Sequence, residues 1–151
     1  MRATGSVIQQ ATDPSASPAM RLAAFEEIVR RYQDMAVGYA FARLGSFQLA
    51  EDAAQEAFVE TWKSLGRLEH PEAFVAWFRR IVSRSCTRIT RRKRVATVPA
   101  EEAREVASAD PNPLESAEAD ELQARVMGAI TALPEHERLV TALYYINGYT
   151  Q

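Results

Sequence analysis

The sequence predicts an all-α protein, and three observations support this fold class. Apolar residues recur at intervals of three and four over most of the chain, which is the spacing of one helix face. No segment alternates apolar and polar residues between hairpin turns, as a half-buried strand would. The composition, 47% hydrophobic and 25% charged over 151 residues, is typical of a globular protein. We expect a three-helix module, a linker and an incomplete second helical module.

The first twenty residues carry turn formers and no continuous apolar core. Asp13, Pro14 and Pro18 lie among Ser, Thr, Ala and Gln, and the segment lacks the apolar run of a secretory signal. We therefore expect a flexible leader over residues 1–20, followed by a helical domain over residues 21–94.

The first two helices of that domain are separated by Gly45 and Ser46. Helical spacing of apolar residues predicts the first helix from about residue 22 to residue 44 and the second from residue 50 to residue 65. Gly66 follows the second helix, where a left-handed C-terminal cap is common. The opposite face of the second helix is acidic and carries Glu51, Asp52, Gln55, Glu56 and Glu60. From spacing alone, a solvated surface is the simplest interpretation of that face.

The third helix is predicted to begin after Pro71 and to continue into a strongly basic stretch. Its apolar side contains Phe74 and Phe78, which we expect in the core. Residues 79–94 contain no acid and hold eight of the 18 basic residues. These eight are Arg79, Arg80, Arg84, Arg88, Arg91, Arg92, Lys93 and Arg94.

The number of cations in this stretch indicates a polyanionic partner. One or two cations suffice to interact with the dipole at a helix C-terminus, and eight exceed that need. Residues at four-residue steps share a face, so Arg80, Arg84, Arg88 and Arg92 form one row. Trp77 is ambiguous, because its ring could lie at the rim of the core and face either the second helix or an exposed base.

A linker and a second module follow. Residues 95–113 contain prolines and lack helical periodicity, and residues 95–121 carry eight acids against Arg104, a net charge of −7. We hypothesise that this acidic segment screens the basic helix. Helical spacing resumes in the second module, residues 114–151, where a further helix starts at Pro134 and Asn147-Gly148 is expected to close it.

No catalytic or metal-binding group is evident in the sequence. His70 and His136 have no partners at metal-site spacing, and neither a Gly-rich phosphate loop nor a Gly-x-Ser-x-Gly elbow occurs. The single Cys86 fits a small helix residue, and no run reaches the roughly 20 apolar residues of a membrane span. We expect a cytoplasmic protein that is not an enzyme and needs no cofactor.

Three segments in order resemble region two of an extracytoplasmic-function (ECF) sigma factor. They are Phe25-Glu-Glu-Ile-Val-Arg-Arg-Tyr, Ala50-Glu-Asp-Ala-Ala-Gln-Glu-Ala-Phe-Val-Glu-Thr-Trp and Phe74-Val-Ala-Trp-Phe-Arg-Arg-Ile with its basic tail. The segment that starts at Leu133-Pro-Glu-His-Glu-Arg is similar to the opening of region four of the same family. Residues 148–151 stand where that family's helix-turn-helix would begin, so the recognition helix is expected to be absent.

The resemblance assigns roles to both helix faces. It implies that the acidic face of the second helix binds the clamp helices of the largest subunit of core RNA polymerase, through Asp52, Gln55, Glu56 and Glu60. It also implies that the third helix and the loop before it bind and melt the minus-ten element of promoter DNA, with His70 near a flipped-out base. The DNA-binding residues expected on this basis are Trp77, Arg80, Arg84, Arg88, Arg91, Arg92 and His70.

Two functions follow from the resemblance. The first is a sigma factor that directs promoter recognition and melting. The alternative is a truncated sigma-like decoy that occupies polymerase or an anti-sigma factor without initiating transcription. A promoter without the upstream element separates the two, because only the first would give product there.

Overall fold

The protein is all-helical in the computed structural model, which describes residues 3–96, 115–142 and 144. Within these residues there are six helices, two 3-10 turns and no strand. The helices are α1 (Thr4–Thr12), α2 (Pro18–Leu44), α3 (Phe47–Ser64), α4 (Phe74–Ala96), α5 (Glu115–Ala132) and α6 (Glu135–Thr141). The 3-10 turns, Leu65–Arg67 and Pro71–Ala73, lie between α3 and α4. This confirms the predicted fold class, and α2, α3 and α4 are the three predicted helices.

The prediction of a flexible leader over residues 1–20 was wrong, because α1 is a packed helix. Its residues Val7 and Ile8 are 0% and 2% exposed, and they lie in the hydrophobic core with Ala11. The helix packs against α2 and against the second 3-10 turn. Full burial of an aliphatic side chain stabilises by about 1.5–3 kcal/mol, so two such side chains suffice to hold a short helix in place.

Polar contacts also hold α1 and the turn that follows it. Thr4 Oγ1 lies 3.0 Å from the Tyr32 hydroxyl, and Arg21 Nε donates to the Ala11 carbonyl at 3.2 Å. In the turn, the Ser15 side chain and backbone N–H donate to Asp13, and these hydrogen bonds lower the pKa of the Asp13 carboxyl. The chain is therefore ordered from α1 into α2.

Caps determine both ends of α2. Ser17 Oγ accepts from the backbone N–H of Met20 at 3.3 Å, and Pro18 occupies the first turn, so the helix begins earlier than the apolar spacing predicted. Gly45 ends the helix with φ 69°, and its N–H donates to the Phe41 carbonyl at 2.8 Å. The predicted end at Gly45 is confirmed.

The end of α3 differs from the prediction. The helix starts after the Ser46 cap and ends at Ser64, and Gly66 lies within the first 3-10 turn. Gly45 is the only glycine with positive φ among the described residues, so the prediction that Gly66 is a left-handed cap was wrong. The buried side chain of Leu65 holds this turn against the core.

The core lies between α2, α3 and α4. Phe74 and Phe78 are fully buried and stack with ring centroids 5.5 Å apart, as expected from their spacing. Tyr32 of α2 lies 5.0 Å from Phe74, and Phe58 of α3 lies 4.8 Å from Phe78. Aromatic side chains from all three helices thus fix the position of α4, which carries the basic stretch.

The second module packs on α2. Arg138 Nε donates to the Ala42 carbonyl at 2.9 Å, and its Nη1 donates to the Thr131 carbonyl at 3.1 Å. Met127 and Ile130 of α5 contact the core of the first module. The predicted helix after Pro134 is present as α6.

Two features predicted for the second half fall outside the described part. Most of the predicted linker, residues 97–113, and the Asn147-Gly148 helix end are among the residues that are not described. Residues 95–96, which the prediction assigned to the linker, belong to α4. Of the described helices, none combines the length and the apolar character needed to cross a membrane.

Candidate nucleic-acid and partner interface

The acidic face of α3 and the basic face of α4 lie against each other. The two helices run antiparallel, since rising residue numbers on α3 meet falling numbers on α4. Glu56 contacts Arg92 and Arg88, and Glu60 contacts Arg88 and Arg84. Two of the residues predicted to bind polymerase and three of those predicted to bind DNA therefore form one continuous strip.

Four N–O contacts between five residues make up this strip, which we call the ion-pair ladder (Glu56, Glu60, Arg84, Arg88 and Arg92). Arg92 Nη1 lies 2.5 Å from Glu56 Oε1, and Arg84 Nη2 lies 3.2 Å from Glu60 Oε1. Arg88 bridges the two acids, with Nη2 2.9 Å from Glu60 Oε2 and Nε 3.6 Å from Glu56 Oε2. Arg88 Nη2 also lies 3.0 Å from Ser85 Oγ. Each acid is thus shared between two arginines.

The ladder is accessible to water. The side chains of Arg84 and Arg92 are 62% and 64% exposed, whereas those of Glu56 and Glu60 are about half as exposed. Exposed ion pairs of this kind contribute about 0–1 kcal/mol each, because solvent and salt screen them. The arginines can therefore exchange these carboxylates for another anion at low cost.

Two other predicted polymerase-binding residues, Asp52 and Gln55, lie at the open side of α3. Both are exposed and line a shallow groove with Ile89 and Arg92 of α4. Along the same helix, Val59 and Trp62 are 50% and 41% exposed. These side chains border an apolar groove of about 450 Å³ between α2 and α3. A mixed polar and apolar surface results.

The aromatic and basic residues at the start of α4 line a third groove. Trp77, Arg80 and Arg84 lie there with Tyr39 of α2 and Leu139 of α6, around a volume of about 750 Å³. Trp77 is partly buried and packs on the core, with its ring centroid 6.1 Å from that of Phe74. It therefore lies at the rim of the core, as predicted, and faces the groove. Contact with a base stays a prediction.

A polar cluster is built around Ser83, which lines this groove. Arg43 at the end of α2 donates to Ser83 Oγ of α4, and its Nε lies 3.5 Å from Glu135 Oε1 of α6. Arg43 thus joins the two modules beside Trp77 and Arg80.

His70 lies in the connection between the two 3-10 turns. Its side chain is exposed, and Nδ1 lies 3.1 Å from Glu72 Oε1. The next residue, Pro71, faces α1, since a Cβ built on Gly5 would lie 3.6 Å from Pro71 Cβ. The missed helix α1 therefore supports the loop that carries His70. Arg91 is exposed on the last turns of α4, beyond Trp77.

Cys86 has the structural role predicted for it. It is buried in α4, and this desolvation raises the pKa of its thiol to about 11, although nearby Arg43 acts in the opposite direction. A thiol with this pKa is a poor nucleophile. Within the described residues, no group of His, Cys, Asp and Glu side chains could hold a metal ion.

Sequence reasoning missed the ion-pair ladder, Tyr39 and Leu139. A signal for the ladder was present, because Glu56 and Glu60 are four residues apart and Arg84, Arg88 and Arg92 repeat at the same interval. Rows with equal steps on neighbouring helices can pair along their length. Tyr39 and Leu139 reach the groove only through tertiary packing and have no comparable signal.

Comparison with known proteins identifies the class of this helical unit. Residues 28–95, which span most of α2, all of α3 and nearly all of α4, match the family described as Sigma-70 region 2. The matched range contains the whole ion-pair ladder. It also contains the α3 and α4 side chains named above as lining the three grooves.

Longer relatives place the chain more narrowly. It is 32% identical over 135 residues to the RNA polymerase sigma-H factor of Pseudomonas aeruginosa, covering 83% of this chain and 69% of that protein. It is 30% identical over 149 residues to the ECF RNA polymerase sigma factor SigE of Mycolicibacterium smegmatis, covering 96% and 55%. The probable RNA polymerase sigma factor RfaY of Xanthomonas campestris pv. campestris is 31% identical over 129 residues, covering 83% and 32%. The chain belongs to the ECF family of RNA polymerase sigma factors.

This membership confirms the family resemblance and agrees with the prediction that the chain is not an enzyme. The matched parts span about a third of the RfaY protein and about half of the SigE protein. The family match in residues 28–95 supports region two, and the similarity of the last segment to region four stays a prediction.

Proposed function

We propose that the chain is a promoter-specificity subunit that binds core RNA polymerase through α3 and opens promoter DNA at the minus-ten element through α4. The observation that carries this proposal is the antiparallel packing of α3 and α4, which gives an acidic partner face and an aromatic-basic face on adjoining sides of one rigid unit. A protein held on polymerase by one face would present the other to DNA at a fixed distance.

The groove of Trp77, Arg80 and Arg84 supports the DNA part of the proposal. Opening a duplex requires a flat ring on which an unpaired base can stack and cations that hold the displaced backbone. Trp77 supplies the ring at the rim of the core, and Arg80 and Arg84 lie on the same groove. Arg88 and Arg92 extend the cationic row along the helix, and Arg91 is exposed on its last turns. His70 lies in the exposed loop before α4, where a flipped base would be held.

The outer side of α3 supports the polymerase part. Asp52 and Gln55 are exposed, and the apolar side chains of Val59 and Trp62 continue the same side of the helix. Protein interfaces combine an apolar centre with a polar rim in this way. We propose the clamp helices of the largest polymerase subunit as the partner of this surface, with Glu56 and Glu60 at its inner edge.

Two sets of variants test the two parts separately. Asp52→Lys combined with Gln55→Lys should weaken core polymerase binding at least tenfold in a fluorescence anisotropy titration, because the cations oppose the acidic interface. Glu26→Lys, which changes an exposed acid on α2, serves as the matched control. Unchanged core binding in the double variant would contradict the proposed polymerase surface.

The second set addresses strand opening. Trp77→Ala with Arg80→Ala should keep core binding and abolish permanganate reactivity of thymines in the minus-ten element, whereas Arg30→Ala on the exposed side of α2 should not. Normal reactivity in the double variant would refute the assignment of α4.

Transcription from a promoter without an upstream element separates initiation from occupancy. Product in this assay supports an initiating factor, and competition with another sigma factor without product would identify a decoy. Binding of an anti-sigma factor stays a prediction.

A further inference from the structure

We propose that Glu56 and Glu60 take the place of DNA phosphates in the free protein, and that polymerase binding releases Arg84, Arg88 and Arg92 for DNA by engaging these same acids. The proposal rests on the proposed function, because it requires polymerase to bind the inner edge of α3. In this proposal, the carboxylates hold the arginines until polymerase binds the carboxylates.

The geometry of the ladder supports the first half. Every ladder arginine directs guanidinium nitrogens at carboxylate oxygens, with contacts between 2.5 and 3.6 Å. Phosphate oxygens are recognised by the same guanidinium donors in the same charge-assisted manner. An arginine that is bound to Glu56 or Glu60 therefore has fewer donors left for a phosphate.

The cations that pair with the acids are neighbours on one face of α4. Arg84, Arg88 and Arg92 pair with the two acids, and they are consecutive members of one row. Arg80, the first member of that row, lies on the groove with Trp77 and outside the ladder. The free protein thus keeps one end of the row available and holds the rest.

Polymerase binding would reverse this arrangement. A partner that binds the acidic face with its own cations competes with the arginines for the same carboxylate oxygens. Each arginine that is released can contact a phosphate, and each such contact releases counterions. Because coupling between two binding sites is reciprocal, DNA that takes the arginines would in turn strengthen polymerase binding.

The first experiment uses the free 151-residue chain and no polymerase. Glu56→Gln combined with Glu60→Gln removes the two anions, and Glu51→Gln combined with Asp34→Asn is the control. The control pair loses the same charge from exposed acids that lie away from α4, on the groove lined by Phe41 and Met127. The probe is a fluorescein-labelled single-stranded DNA of 15 nucleotides, titrated by anisotropy from low to physiological salt.

We expect the Glu56/Glu60 variant to bind the DNA about tenfold more tightly than the wild type at low salt. Three additional phosphate contacts would steepen the dependence of log K on log salt by about 2, at about 0.7 for each contact to a single strand. The control should gain less than about twofold and keep the wild-type slope. Equal gains in the two variants, or no gain in the first, would overturn the proposal. Urea unfolding of both variants excludes misfolding as the cause.

The second experiment measures core polymerase binding without DNA. Arg84→Gln, Arg88→Gln and Arg92→Gln together should bind core about three- to tenfold more tightly than the wild type, because the acids are no longer occupied. Unchanged or weaker binding would overturn the exchange. The Asp52→Lys and Gln55→Lys variant distinguishes this failure from failure of the proposed function, because it tests the polymerase surface at residues outside the ladder.

Discussion

Substitution of Ile8 by Ala should destabilise the whole first module, although this residue lies in a segment that the sequence predicts to be a leader. Ile8 is 2% exposed and packs in the core beside Val7. The change removes three carbon atoms, or about 2.4 kcal/mol at about 0.8 kcal/mol each, and leaves a cavity. We expect a loss of about 2–4 kcal/mol in the free energy of unfolding. If the substitution only detaches α1 from the rest of the module, the loss in the free energy of unfolding cannot exceed the free energy with which α1 packs on the module.

Urea unfolding followed by circular dichroism measures this loss as a lower midpoint at constant slope. Gln9→Ala is the matched control, because Gln9 is exposed on the same helix, and it should change the free energy of unfolding by less than about 0.5 kcal/mol. If Ile8→Ala behaves like Gln9→Ala, α1 does not pack on the module in solution, and the reasoning from burial fails.

Three further substitutions test single features of the fold. Thr61→Val should raise the free energy of unfolding by about 1 kcal/mol, since the buried Thr61 Oγ1 has no hydrogen-bond partner within the described structure. Thr87→Val is the control and should give no gain, because it loses a 3.1 Å hydrogen bond to the Ser83 carbonyl. Gly45→Ala should lower the free energy of unfolding by about 1–2 kcal/mol, because Gly45 has a positive φ. Gly66→Ala should be tolerated, because a Cβ at Gly66 would meet no atom within 4 Å. Equal effects of the two substitutions in urea unfolding would refute the assignment of Gly45 as the left-handed cap. Burial raises the pKa of the Cys86 thiol from 9.0 to about 11, so the folded state favours the neutral thiol. The contribution of this neutral thiol to the free energy of unfolding is complete below pH 9 and is lost as the pH rises through 11. The stability advantage of the wild type over Cys86→Ala should shrink over that range, and a constant difference would contradict burial of the thiol.

The extent of successful prediction depended on the length of each element. Helices α2, α3 and α4 have 27, 18 and 23 residues, so their apolar spacing repeats over several turns and was recognisable. Helix α1 has nine residues, and it contains few apolar side chains and is followed by turn formers. Only the surface offered by α2 and by Pro71 shows that these few residues are buried. A short helix of this kind depends on tertiary contacts that no local pattern records.

The candidate site was predicted as two faces, and parts of both faces meet in the ion-pair ladder. Helical periodicity correctly placed Glu56 with Glu60, and Arg84 with Arg88, on common faces of their own helices. Whether the two faces point apart or together depends on the rotation of α3 relative to α4, which the packing of Phe58 against Phe78 determines. Periodicity within one helix carries no information about that rotation.

The antiparallel register of α3 and α4 also has a consequence for sequence divergence. Positions 56, 60, 84, 88 and 92 are joined by contacts, so a change at one alters the cost of a change at the next. Arg88 touches both acids and is the position whose replacement affects most partners. Among relatives, these five positions should vary together, with acids lost on α3 where arginines are lost on α4. If α3 and α4 bind polymerase and DNA as proposed, the two binding functions would then evolve as one linked trait, because a mutation of the acids on α3 also changes the charge that α4 offers to DNA.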